Sequence, residues 1–384
     1  MESLGYHEAL IRRGNILRVG SVPTERPPAG GMRVALSFVG VCGTDLQILN
    51  GRRPDTAEIL GHEGVGTIVE ASGRGDLAVG EQVVFNPVAQ LSRGWILGHN
   101  TPGLFQKYIT LDAQAVDEGL VMPANECDQS LCGPLVEPLA AIVYGHELIS
   151  NKVPELRTIA IFGAGPVGLL AVIYLRSLGV RVLLVHPTRT RLDTVASQRN
   201  LNPDAIFVAS DDVAERIKAC GGSPIDAALI CTTRAGAPSA LRQAVEIVRD
   251  GGCIDLVTNY PEEAGTPLDV DVSTLRCVRA ENVCGSPKQG RYLHVRVSGR
   301  QIAFTGHRGT SHSHLRTALR SLASNAASYT PLVTHVLPLR EAAETIQHLS
   351  ESNHRFVQGR DCVKLVIDME SSLTNDSRVP VHHG

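Results

Sequence analysis

A thiol, an imidazole and two carboxylates stand out in this sequence. They are Cys42 in Val41-Cys42-Gly43-Thr44-Asp45, His62 and Glu63 in Leu60-Gly61-His62-Glu63, and Glu137 in Leu135-Val136-Glu137-Pro138. Drawn from separate loops, such a mixed set suits a catalytic zinc, which keeps one position open for water or substrate. Any one of them alone would read as a buried cysteine, a core histidine or a surface glutamate. A second constellation is Gly163-Ala164-Gly165-Pro166-Val167-Gly168, a G-x-G-x-x-G between a β-branched run and a helix-forming one. In that context the first glycine permits a tight turn, the second lets backbone approach a pyrophosphate, and the third lets helix and strand pack closely. The pyrophosphate would rest on the helix N-terminus, where free N–H groups and the dipole favour an anion. About 20 residues on, where a carboxylate would take the ribose 2′-hydroxyl, the next strand ends in His186, and Arg189 and Arg191 follow. With no carboxylate to repel it and two guanidiniums near, a 2′-phosphate fits better than a bare hydroxyl. That puts NADP ahead of NAD.

These residues need elements to hold them. Over residues 33–117 short apolar runs alternate with turns, and 34–38, 66–70, 82–85 and 107–111 read as strands of an antiparallel, barrel-like domain. From about 155 the rhythm becomes strand, helix, strand, helix, with strands expected at 158–162, 180–185, 205–208, 225–231, 253–257 and 301–304. Helices between them, such as 169–178 and 239–249, imply a parallel sheet covered on both faces. A helix at 314–323, a strand at 333–337, a second helix and a strand at 362–367 close the chain. Residues 158–175 are uncharged for 18 positions, the lower limit for a membrane helix, but glycines and a proline interrupt them mid-way. Strand, turn and buried helix is the better reading.

Composition narrows the function classes. The chain has 384 residues, too many for one ordinary small domain, and 43% apolar residues allow a large core. A net charge of −3 and 4% aromatics argue against nucleic acid or an anionic membrane as the main partner. The nine cysteines are scattered with no C-x-x-C pair, as expected of small core residues in a reducing compartment. The first fifteen residues carry charges where a signal peptide needs an apolar stretch, so the cytoplasm is expected. The tail from 370 is polar; His382 and His383 there read as part of a frayed end rather than a metal site.

Taken in order, the Cys42–Asp45 phrase, Gly61-His62-Glu63-Gly64-Val65-Gly66, Val79-Gly80-Glu81-Gln82-Val83-Val84 and the Gly163 to Gly168 fingerprint resemble the zinc-containing medium-chain dehydrogenase/reductase superfamily. Val136-Glu137-Pro138-Leu139 resembles its sorbitol, glucose and threonine dehydrogenase branch. The resemblance covers about residues 30–368. It implies an α/β protein: a GroES-like β-barrel catalytic domain (1–154 and 311–369), an inserted Rossmann doubly wound parallel-sheet domain (155–310), and a polar tail (370–384). It also implies an active site in the cleft between the domains, and a homodimer or homotetramer.

Carried over by position, Cys42 and His62 become zinc ligands. Glu63 and Glu137 become a ligand and a water-holding or exchanging carboxylate, in either assignment. Thr44 stands where the family passes on the substrate's proton, and Asp45 where a carboxylate orients the zinc histidine. The implied reaction interconverts a secondary alcohol and a ketone on a polyol-like substrate, with one catalytic zinc and NADP or NAD. Three departures matter. Residues 86–104 contain no cysteine, so the family's structural zinc is expected to be absent. Gln47 replaces the histidine that ends the proton relay in many members. The stretch 283–310 is long and carries Lys288, Arg291 and Arg308, in place to meet an anionic or heavily hydroxylated substrate, although a surface hairpin or dimer contact is the plainer reading. Two competing readings are a zinc-free NADPH reductase of enones or quinones, and a nucleotide-binding protein that kept the fold without the chemistry.

Overall fold

The computed structural model describes residues 3–371 apart from 74–76, 89–93, 125–130, 199, 211, 221–223 and 353–354, which leaves Cys127, His382 and His383 outside the described residues. Contacts divide the chain into two compact units, Met1–Leu135 with Val333–Gly384, and Val136–Leu332.

In the first unit the strand Met32–Gly40 is the hub of a seven-stranded sheet. Along one edge it pairs antiparallel with Glu63–Ala71. The other edge is shared: Met32 to Ala35 face Tyr108–Leu111, while Phe38 to Gly40 face Lys364–Asp368 from the far end of the chain. Residue patterning explains the pairing, since alternate positions such as Val34 and Leu36 are buried against Ile68, Ile109 and Leu365. At roughly 1.5–3 kcal/mol for each large apolar side chain buried, this shared face is what draws the two distant chain segments together. The strands expected at 34–38, 66–70, 82–85 and 107–111 all lie in this sheet. A hairpin, Ser3–Arg13 with Ile16–Glu25, was not expected from the sequence; the two-residue Gly14-Asn15 turn between them was its local signal.

The second unit is built on a seven-stranded sheet. Its order across the sheet is Ala205–Val208, Arg181–His186, Thr158–Phe162, Ile225–Ile230, Val248–Asp255, Arg300–Thr305 and Leu293–Val297. The first six are parallel, the doubly wound order of dinucleotide-binding folds. The seventh runs antiparallel and corrects the all-parallel expectation, because Ser298 and Gly299 turn the chain back on itself and leave Val297 opposite Arg300. Much of the long 283–310 stretch is therefore a hairpin on the sheet edge. Thr158–Phe162 is wholly buried and ends at the glycine turn, and Pro166–Ser177 follows as a helix. Among the described residues no helix is long and apolar enough to cross a membrane.

The unit boundaries differ from those expected at 154/155 and 310/311. The helix Val136–Lys152 belongs with the parallel sheet because it packs on helix His312–Ser324 and approaches the strand end at Asp255. A Cβ on its Gly145 would fall 2.4 Å from Asp255 Oδ2, so only glycine permits that approach.

Candidate metal centre and nucleotide turn

Cys42 is the N-cap of helix Gly43–Leu49, and Asp45 is that helix's third residue. Asp45 is fully buried: its Oδ2 accepts from the Cys42 N–H at 2.8 Å, and its Oδ1 accepts from the Gly61 N–H at 3.1 Å. One carboxylate thus ties the loop of the thiol to the loop of the imidazole. Gly61 has φ +90°, and a Cβ there would meet the Phe105 ring at 2.4 Å, so glycine alone lets the chain turn His62 inward.

His62 follows, 5% exposed, with Nδ1 3.7 Å from Asp45 Oδ1 and without a hydrogen-bond partner. That leaves Nε2 as the donor for a metal. Donor atoms of Cys42, His62 and Glu63 all lie within 4.8 Å of one another. Burial disfavours a charged His62 ring, yet Asp45, Cys42 and Glu63 outweigh it and hold its pKa well above the ordinary value. The same surroundings that favour a proton there favour a bound cation. The buried His62 ring, whose Nδ1 has no hydrogen bond among the described residues, and the thiol–imidazole–carboxylate donor set both fit zinc.

The structure adds a residue that sequence reasoning missed. Lys364, 1% exposed, donates to Glu63 Oε2 and, at 3.2 Å, to the Val41 carbonyl. Against burial, Glu63 and Cys42 keep this ammonium charged by raising its pKa. Its signal was available: a single lysine inside the apolar run Cys362 to Ile367 must find a partner if the strand is buried. Of the other expected residues, Thr44 is half-buried with Oγ1 3.4 Å from Cys42 Sγ. Glu137 belongs to the other unit, half-buried in the first turn of helix Val136–Lys152.

In the nucleotide unit Gly163 has φ +121°, and its Cβ would strike the Cys231 carbonyl at 2.5 Å; a Cβ on Gly168 would strike the Gly163 carbonyl at 1.9 Å. Gly165, the N-cap of helix Pro166–Ser177, has nothing within 4 Å of where its Cβ would be, the open face that a diphosphate needs. Val167 stands with Pro166 in the first turn. His186 ends its strand and accepts the Ala164 N–H on Nδ1 at 3.2 Å; burial and Arg191 push its pKa down to about 4, so it is neutral. Arg189 is exposed and pairs with Asp193 at 2.9 Å, whereas Arg191 is 9% exposed.

Two family models match the chain: the alcohol dehydrogenase GroES-like domain over residues 28–120, and the zinc-binding dehydrogenase domain over 166–289. Glucose 1-dehydrogenase of Thermoproteus tenax is 30% identical over 92% of this chain and 96% of its own length. The chain belongs to the zinc-binding alcohol dehydrogenase family. Another member, 2-dehydro-3-deoxy-L-galactonate 5-dehydrogenase of Pseudoalteromonas atlantica, is 31% identical over 43% of this chain, a match that spans 52% of that relative. A Sinorhizobium meliloti protein solved with NADP has the same fold, with a TM-score of 0.73, 20% identity, and coverage of 95% of this chain and all of that one. Membership in this family agrees with the resemblance read from the sequence motifs.

Proposed function

We propose that the chain is a zinc-dependent NAD(P) oxidoreductase that interconverts a secondary alcohol and a ketone on a polyol-like substrate, a sugar, a cyclitol or a derivative. The observation that carries this reading is the Cys42–His62–Glu63 cluster with Asp45 behind its imidazole. Support for the substrate class comes from the sugar and sugar-acid dehydrogenases among its relatives.

Cys42 and His62 hold the ion in this reading, and the carboxylates of Glu63 and Glu137 share the remaining ligand and water-holding roles. Lys364 neutralises Glu63 and occupies one of its oxygens, which favours Glu63 as the carboxylate that exchanges. Zinc held there would supply a Lewis acid that brings an alcohol's pKa toward neutrality, and a nicotinamide would supply the hydride acceptor. Asp45, 3.7 Å from Nδ1, draws the His62 ring toward it by charge. Thr44 Oγ1 receives the substrate's proton; because Gln47 cannot accept it as a histidine would, the proton leaves to water or a ribose hydroxyl. Gly163, Gly165, Pro166, Val167 and Gly168 seat the pyrophosphate, with His186, Arg189 and Arg191 at the ribose. The strand ends in His186 and not in a carboxylate, and the two arginines, one of them paired with Asp193, support NADP ahead of NAD. The reading includes one catalytic zinc, no structural zinc, a cytoplasmic location and a homodimer or homotetramer.

Metal content by mass spectrometry, on protein purified without added metal, tests the centre. One zinc per chain is expected, lost in Cys42→Ser together with turnover, while folding measured by circular dichroism is kept. Removing a mere outer partner of a metal ligand costs about 10–100-fold, so a direct ligand should cost more. Zinc and full turnover surviving in Cys42→Ser would overturn the ligand assignment. Folded wild-type protein without zinc would return the choice to the zinc-free reductase or the non-catalytic reading.

A further inference from the structure

Beside the metal cluster stands a histidine that it does not use. The His99 ring lies 5.2 Å from the His62 ring, centroid to centroid, at 46°. Its Nδ1 meets Asp55 Oδ1 at 2.8 Å, and Arg53 clamps the same carboxylate with Nε at 2.9 Å from Oδ2 and Nη2 at 3.3 Å from Oδ1. Arg12 Nη2 donates to the Asp55 carbonyl at 2.8 Å and Arg12 Nε to the Ala57 carbonyl at 3.0 Å, while the Ala57 N–H donates to the His99 carbonyl at 2.7 Å. Three chain segments, at Arg12, at Arg53 to Ala57 and at His99 itself, therefore meet around one imidazole.

Arg53 Nη2 also lies 3.4 Å from Nδ1, but the Asp55 carboxylate is the shorter contact at 2.8 Å and places the ring proton there, which leaves Nε2 as a lone pair. Among the described residues, no partner engages Nε2. A fixed acceptor of this kind, on a residue 8% exposed, is out of place against an apolar enone, because desolvating it without a donor costs about 1–3 kcal/mol. It suits a substrate that brings its own O–H.

We propose that His99 is a specificity-determining residue: its Nε2 accepts a hydrogen bond from the hydroxyl on the carbon next to the one oxidised, so that vicinal diols are preferred to lone secondary alcohols. The inference rests on the function proposed above. Ring contact with His62 sets His99 beside the metal cluster without making it a member of that cluster, and a hydroxyl on the carbon next to the oxidised one is the substrate group nearest to it in this reading. Asp55 is then a positioning residue, acting through the tautomer and orientation of His99.

The minimal probe pair is 2,3-butanediol and 2-butanol, with D-sorbitol as a larger polyol, assayed on the zinc-loaded full-length protein. Wild type should favour the diol in kcat/KM. His99→Leu should lose about tenfold on the diol and on sorbitol, the value of one neutral hydrogen bond, and less than twofold on 2-butanol, with zinc content unchanged. His99→Asn, which keeps a side-chain acceptor, should recover part of the loss, and Asp55→Asn should shift the diol preference in the same direction. Equal losses on all three alcohols, no loss on any, or loss of zinc with activity would overturn the role of His99. Zinc-loaded wild type inert toward all three alcohols would instead overturn the underlying function, and this role with it.

Discussion

Two buried carboxyl groups, Glu63 in one unit and Asp255 in the other, behave in opposite ways. Around Cys42, Glu63 meets the Lys364 ammonium, and Asp45 receives two backbone N–H groups, although burial still raises the Asp45 pKa. In the nucleotide unit, Asp255 is wholly buried and neither carboxylate oxygen has a hydrogen-bond partner among the described residues. Burial pushes its pKa up to about 7, with Arg279 only partly offsetting it, and burial with Arg279 pushes His307 down to about 3. Paired groups keep their charge and can organise a cation. A group left alone gives its charge up and serves as filler in a core.

The largest expected effect tests the paired side. Lys364→Met leaves Glu63 ionised in the interior without a counter-charge, which should destabilise by about 3–5 kcal/mol. Adding Glu63→Gln to the same chain should recover much of that loss. Urea unfolding of the two single variants and the double variant measures the coupling, and simple additivity would mean that the pair does not organise the site.

Asp255→Asn tests the lone side through pH. A carboxyl raised from 3.8 to about 7 binds its proton in the folded chain where the unfolded chain has already released it. Stability contributed by this group is therefore complete below about pH 4 and falls as pH rises toward 7, by up to about 4 kcal/mol at 1.36 kcal/mol per unit. The neutral amide has no such slope. The variant should match wild type near pH 4 and be the more stable one at pH 8. Parallel curves of stability against pH for the two proteins would show that Asp255 is ionised and partnered after all.

The smallest effect concerns the end of strand Arg181–His186, where Arg189 is exposed and solvent screens its charge while Arg191 is buried. Replacing Arg189 and Arg191 together by alanine should weaken NADP about 10–100-fold, the range of a charge-assisted hydrogen bond or two, and NAD by much less. Fluorescence titration with each nucleotide reads the difference, and equal losses would dispose of the 2′-phosphate argument.

Much of this protein was legible in its sequence. Alternation of period two announced the strands around Val34 and Val83, and glycines at Gly163 and Gly168 announced the turn, because each is a rule about residues a few positions apart. The Cys42, His62 and Glu63 set was legible for a related reason: short phrases of fixed type and spacing carry it, and the structure brings the three donors together. The antiparallel edge strand was harder, since Leu293–Val297 has the same apolar pattern whichever way it runs, and the turn at Ser298 and Gly299 decides its direction.

Sequence alone determined which elements form, which glycines turn the chain, and which residue types could serve a metal and a nucleotide. Tertiary structure alone decided the partners. Lys364 reaches Glu63 across 301 positions, His99 settles against His62, and Asp255 arrives beneath Gly145 with no hydrogen bond to its carboxylate among the described residues. Local patterns report whether a residue will be buried. What it meets there depends on segments remote in the chain, brought together only when their apolar faces pack.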